Sequence, residues 1–108
     1  MIARMWRGAT VAADGDRYAA YLEVTGVAEC RSTPGNRGTT VLRRRSGDRE
    51  EFIFISYWED EAAVRRFAGP DPDLAVFYPE DDAFLVERET RVTHWRVGAG
   101  EPSEQGAA

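Results

Sequence analysis

The stretch FIFISYWEDEAAVRRF, residues 52–67, carries two secondary-structure signals back to back. From Glu51 to Trp58, large apolar side chains stand on both parities: Phe52 and Phe54 on one, Ile53, Ile55 and Tyr57 on the other. Successive strand residues point to opposite faces, so the pattern predicts a central strand covered on both sides. Trp58-Glu59-Asp60 follows, and Asp60 stands where it can cap a helix with Ala63, Val64 and Phe67 on one stripe.

Working outward, Ser46-Gly47-Asp48 turns the chain back onto a strand from Gly38 to Arg45, which gives a hairpin. Thr33-Pro34-Gly35-Asn36 is a turn signal before it. Further back, Tyr18, Tyr21, Leu22 and Thr25 share one helix face after a cap at Asp14 or Asp16, and Gly26 stands near the helix end. Ile2 to Arg7 predicts a short first strand. Beyond the quoted stretch, Gly69-Pro70 stops the helix and Pro72 to Phe77 suggests one more helical turn. A long last strand then runs from about Phe84 to Val97, with room for a bulge.

The order is β-α-β-β-α-β, the split pattern of an α+β ferredoxin-like fold. Right-handed crossovers predict a four-stranded antiparallel sheet in the order 4-1-3-2, with both helices on one face. Residues 1–97 form the expected domain, and the Gly-, Pro- and Ala-rich residues 98–108 a flexible tail. An antiparallel sheet with helices on one face normally leaves its other face to water. Here that face is apolar along the third strand, so a second copy packed sheet on sheet is the expected cover.

Composition narrows the function classes. A chain of 108 residues supports one domain, burying roughly 65% of its unfolded surface. A net charge of −5 and a pI near 4.9 argue against nucleic acid and anionic membrane surfaces as partners. No apolar run is long enough for a membrane span, and MIARMWRG lacks the apolar core of a signal peptide. The single Cys30 fits a reducing compartment, so the expected location is cytoplasmic. The bland reading of Cys30 is a small apolar filler near a helix end.

Pro34-Gly35 before a Gly38-led strand, then Tyr57-Trp58-Glu59-Asp60 before Ala62-Ala63 and Phe67, resemble the antibiotic biosynthesis monooxygenase family of dimeric α/β-barrel proteins. The resemblance covers most of the chain to about Val97. It implies a homodimer formed by packing sheets, with a ligand cavity between sheet and helices in each subunit. It also implies a choice of chemistries. The haem-degrading branch uses an Asn late in the first strand, a Trp in the second helix and a His after it. This chain has Trp6 and Arg7, Phe67, and Tyr78 at the corresponding places, so that branch is disfavoured. The cofactor-independent branch deprotonates an activated phenol and lets the resulting anion react with oxygen. The resemblance therefore implies an enzyme of that kind, acting on an aromatic or polyketide-like molecule with no cofactor and no metal. A ligand-binding or accessory dimer without chemistry of its own is the alternative.

Candidate site residues follow from what such chemistry needs: a dry aromatic pocket, a base and a group to hold an oxyanion. His94 is the only imidazole and so the only side chain that titrates near neutrality without perturbation. With Tyr57 it forms the expected catalytic pair, and the acidic loop Glu80-Asp81-Asp82 could orient it. Trp6, Tyr18, Tyr21, Phe67 and Tyr78 are the expected aromatic walls, against the simpler reading that they are core. Arg4, inside the first strand, needs a partner if buried: Glu87, Glu89 or an anionic ligand. Arg43-Arg44-Arg45 facing Glu50-Glu51 suggests cross-strand ion pairs and no site.

Overall fold

The computed structural model describes residues 1–100. In chain order it contains β1 (Ile2–Val11), a 3-10 turn (Ala12–Asp14), α1 (Gly15–Leu22), a π turn (Glu23–Val27) and α2 (Ala28–Ser32). The remainder comprises β2 (Asn36–Ser46), β3 (Arg49–Trp58), α3 (Glu61–Ala68), α4 (Asp81–Phe84), β4 (Leu85–Arg88) and β5 (Thr93–Arg96). All strand pairs are antiparallel, in the order β2-β3-β1-β4, with β5 also on β1. This is the expected ferredoxin-like α+β arrangement. The last strand is split into two segments that share one sheet position, so five strands occupy four places. In the single chain the sheet is open, not closed into a barrel.

Register decides which side chains meet. Ile2 pairs with Trp58, Arg4 with Ser56, Trp6 with Phe54 and Gly8 with Phe52, so the even-numbered residues of β1 and β3 share one face. The helices cover that face, and Trp6, Phe52 and Trp58 are buried under them. Tyr18 of α1 meets Phe52 edge-on with ring centroids 5.0 Å apart, and Leu22 joins the same cluster. A second cluster joins Cys30 of α2 to Trp58 and to Ala63 and Val64 of α3. Each fully buried large apolar side chain contributes about 1.5–3 kcal/mol. The opposite face carries Met5 paired with Ile55, Ala3 with Tyr57 and Leu42 with Ile53, and among the described residues no helix covers it.

Local chemistry explains the punctuation. The Asp60 carboxylate accepts from the Ala63 amide at 2.9 Å, so the expected cap of α3 is present. Gly35 has φ +93°, and a Cβ there would lie 2.5 Å from that of Ala63. The Pro34-Gly35 turn can therefore pass against α3 only with glycine. Arg43 Nε meets Glu50 Oε2 at 3.0 Å and Arg44 Nε meets Glu51 Oε1 at 2.6 Å, as cross-strand pairing requires.

Two local expectations need correcting, and the helix end near Gly26 is settled. Neither Asp14 nor Asp16 caps α1; Asp14 pairs with Arg17, and Asp16 with Arg43 at 2.8 Å. Gly26 does not end the helix, because the π turn carries it through to Ser32. The segment Pro72 to Phe77 is not helical. It lies along the gap in the last strand, with Val92 N donating to Asp73 O at 2.8 Å and Ala75 N to Thr90 O at 3.0 Å. Those bonds take up backbone groups of the gap between β4 and β5, while Glu89 N still donates to Arg7 O of β1 at 3.0 Å. The expected tail lies, from residue 101 onward, outside the described residues.

Candidate functional site

Between the sheet and the helices is a small, partly open cavity of about 30 Å³. Its floor is the covered face of β1 and β3, with Arg4, Trp6 and Phe54; Tyr18 and Gly26 of the long helix and Phe67 of α3 form walls. Phe77 and Tyr78 close the top. Trp6 donates its indole N–H to Glu89 O at 2.9 Å, so its polar handle is satisfied by the broken last strand. Trp58 and Phe67 stack with centroids 5.7 Å apart, and the Arg4 guanidinium lies 5.4 Å above the Phe67 ring.

Of the expected aromatic walls, Trp6, Tyr18, Phe67 and Tyr78 meet at this cavity. Tyr21 stands one layer out; its ring is 6.5 Å from Tyr18, and its hydroxyl accepts from Glu80 N at 3.0 Å. Tyr57 is a correction. It shares parity with Ile53 and Ile55, lies on the open face, and its hydroxyl is 3.5 Å from Thr40 Oγ1. It cannot pair with His94 from there.

His94 lies on the covered face directly beside Arg4, its partner in the β1–β5 register. Its Nδ1 is 3.2 Å from Asp73 Oδ1, and its Nε2 is buried with no hydrogen-bond partner. Burial first, and the neighbouring Arg4 second, lower its pKa below the ordinary imidazole value, despite Asp73. A neutral imidazole with Nδ1–H directed at Asp73 presents a lone pair on Nε2. That is the electronic state of a base. The orienting carboxylate is Asp73, not the Glu80-Asp81-Asp82 loop. Asp81 instead accepts from the Tyr78 amide at 2.7 Å, and burial raises its pKa.

Arg4 is 5% exposed. Its expected partners are engaged elsewhere: Glu87 pairs with Arg49 at 2.8 Å, and Glu89 Oε1 accepts from Arg7 N at 3.1 Å. Arg4 Nη2 donates instead to the carbonyls of Leu74 at 2.5 Å and Pro72 at 3.4 Å, while its Nε has no partner. Desolvation lowers its pKa, as burial of a cation must.

Two tyrosines bracket the mouth. The Tyr78 hydroxyl bonds to Glu29 of α2, and burial followed by that bond raises its pKa; burial raises that of Tyr18 too. Neither is a phenolate at neutral pH. Cys30 is fully buried, and desolvation pushes its thiol up to about 12, so it is core and no nucleophile. Among the described residues no three His, Cys, Asp or Glu side chains stand together in a metal-holding group.

Two contributors were invisible in the sequence reading. Asp73 sits in a Pro-flanked acidic turn, and nothing local says that it reaches residue 94. Gly26 forms wall because the π turn brings it inward; a Cβ there would lie 3.3 Å from both Leu22 Cδ1 and Phe54 Cε2. A larger concavity, about 690 Å³, lies on the open face among Arg7, Leu42, Arg44, Glu51, Ile53 and Glu87. It is a shallow groove between charged pairs with no free base. Of the two, the small cavity is the one bordered by the buried Arg4 and by the aromatic side chains, despite the difference in volume.

An antiparallel sheet under helices, with a small aromatic cavity between the layers bordered by the buried Arg4, defines a ferredoxin-like α+β protein; His94 neighbours Arg4 in the register but is not among the residues that line the cavity. More particularly, the chain belongs to the antibiotic biosynthesis monooxygenase family, whose model matches residues 9–71. No curated protein matches it.

Proposed function

We propose that this protein is a cofactor-independent oxygenase, or a closely related pathway enzyme, acting on an aromatic or polyketide-like small molecule between sheet and helices. One observation carries the reading: His94, oriented by Asp73 and kept neutral by burial, leaves Nε2 free beside a buried cation. A phenol placed there gives its proton to Nε2, and the Arg4 guanidinium stabilises the oxyanion that remains. The delocalised carbanion passes one electron to O₂, and the radical pair combines to a peroxide that takes the proton back from His94. Loss of water with the remaining carbon-bound hydrogen leaves the quinone, with O₂ as the only oxidant. Trp6, Phe67 and Tyr78 supply the apolar walls, and His94 replaces the pair expected with Tyr57.

The protein works as a homodimer in this reading, because Met5, Ile53, Ile55 and Tyr57 form an apolar sheet face that the single chain leaves uncovered. A cytoplasmic location agrees with the unbridged thiol.

The cavity volume favours a second reading. Ligand sites commonly measure about 300–1,000 Å³, whereas this one is about 30 Å³ and holds little more than one water. A substrate fits, and reaches His94, which is not among the lining residues, only if lining residues such as Phe77 and Tyr78 move aside. A dimer whose interior is filled by its own aromatics, serving as an accessory protein, would have no need of that movement.

Oxygen uptake separates the two. The protein should consume O₂ with members of a panel of hydroxynaphthalenes and hydroxyanthrones, and His94→Gln should slow turnover about 10²–10⁴-fold with the fold intact. Unchanged uptake in the variant, or none across the panel, would remove the oxygenase reading.

A further inference from the structure

Arg4 poses a problem of charge that the fold does not solve. The chain has 19 acidic against 14 basic residues, so an unpaired buried guanidinium does not reflect a shortage of carboxylates. Asp73, the carboxylate whose charge acts on it, is bonded to His94. Both of Arg4's hydrogen bonds leave from Nη2 and end on neutral carbonyls. These solvate the cation without neutralising it. A water in the cavity could satisfy the Nε–H, but it would leave the charge where it is. Burying an ion without a counter-charge costs several kcal/mol, so such a group persists where something else compensates.

The geometry around the unpaired Nε indicates what that is. Arg4 lines the cavity, and its Nε–H is a donor with no acceptor. His94 Nε2, across one strand pair on the same face, is likewise buried and unpaired. An anionic oxygen accepting from Arg4 Nε would satisfy that donor and neutralise the cation, and the proton it gives up on ionising has an acceptor in His94 Nε2. The Phe67 ring under the guanidinium holds the fork in place and adds an aromatic surface for the ligand's ring.

We infer that the ligand of this cavity is an aromatic compound bound through an anionic oxygen, a carboxylate or an ionised phenol, and that Arg4 supplies its counter-charge. The inference rests on the reading of the cavity as a ligand site, but not on any turnover there. It also orders the fate of the cover. Arg4 holds the carbonyls of Pro72 and Leu74, the start of the segment that ends in Phe77 and Tyr78, so the anion is bound at the root of the part that must move.

Titration calorimetry at pH 8 with benzoate, 4-nitrophenolate and benzyl alcohol tests this on the intact protein. At least one anion should bind about tenfold or more tighter than the neutral alcohol, and Arg4→Met should erase that preference. Benzoate alone identifies a carboxylate ligand, and 4-nitrophenolate alone an ionised phenol. Should Arg4→Met not fold, Arg4→Lys keeps the charge but lacks the Nε–H fork, and the preference should shrink. Equal affinity for anion and alcohol, no binding of either anion up to about 10 mM, or a preference that survives Arg4→Met would overturn the inference. Anion binding without oxygen uptake would end the oxygenase reading and leave this one standing; uptake with no anion preference would do the reverse.

Discussion

The two faces of this one sheet are built from alternate residues of the same strands and differ in kind. The face under the helices is well packed around Phe52 and Trp58, yet it holds two buried polar atoms without partners, Arg4 Nε and His94 Nε2. The uncovered face has apolar Met5, Ile53 and Ile55 at its middle and paired charges, Arg44 with Glu51 and Arg49 with Glu87, toward one end. A core has no use for unpaired polar atoms, and a solvent-facing sheet has no use for an apolar middle. Each face therefore departs from what folding alone would select, which is what the proposed ligand on one side and the proposed second copy on the other would account for.

Neighbouring positions in β3 can break this contrast most directly. Phe52→Ala should cost about 3–5 kcal/mol at every protein concentration, because it empties the helix-covered core. Ile53→Ala, one residue along and facing the other way, should cost about 1–2 kcal/mol and only through association. Its melting point should approach that of the native protein on dilution, while the dimer dissociates earlier in sedimentation. A concentration-independent loss for Ile53→Ala would show that the open face is not an association surface.

Gly26 sharpens the contrast from inside the cavity. Gly26→Ala should raise stability by up to about 1 kcal/mol through helix propensity, while its methyl group enters the cavity and weakens benzoate binding. Lower stability with unaltered affinity would make Gly26 a packing residue alone.

The smallest effect is a pH dependence. Because burial depresses the folded pKa of His94 below 6.5, the unfolded chain takes up a proton there before the folded chain does. Stability falls as pH drops through that window, so between about pH 7 and pH 5 the native protein should lose ground to His94→Gln. Native protein gaining on the variant would mean that Asp73 outweighs burial.

The element order and sheet order were legible because β3 shows its two-sided burial in alternation and Asp60 marks the next helix start. What was not legible depended on contacts distant in sequence. Gly26 looks like a stop signal, and only packing of Tyr18, Leu22 and Val27 against the sheet keeps the helix running past it. The gap at Glu89 to Val92 exists because Asp73 and Ala75 take up its backbone bonds, and those residues carry no strand pattern of their own. Tyr57 could have been assigned correctly from parity, since it alternates with Phe54 and Trp58, which the helices cover. The Asp73–His94 and Arg4–Leu74 contacts had no local signature at all.

The placement of the three tryptophans by register also gives the molecule separate optical reporters. Trp6 borders the cavity, Trp58 is fully buried in the α3 cluster, and Trp95 is 58% exposed on the open face. Single-tryptophan variants would thus separate events that one melting curve merges. Emission from Trp6 reports occupancy of the cavity, a blue shift of Trp95 reports covering of the sheet, and a red shift of Trp58 marks loss of the fold.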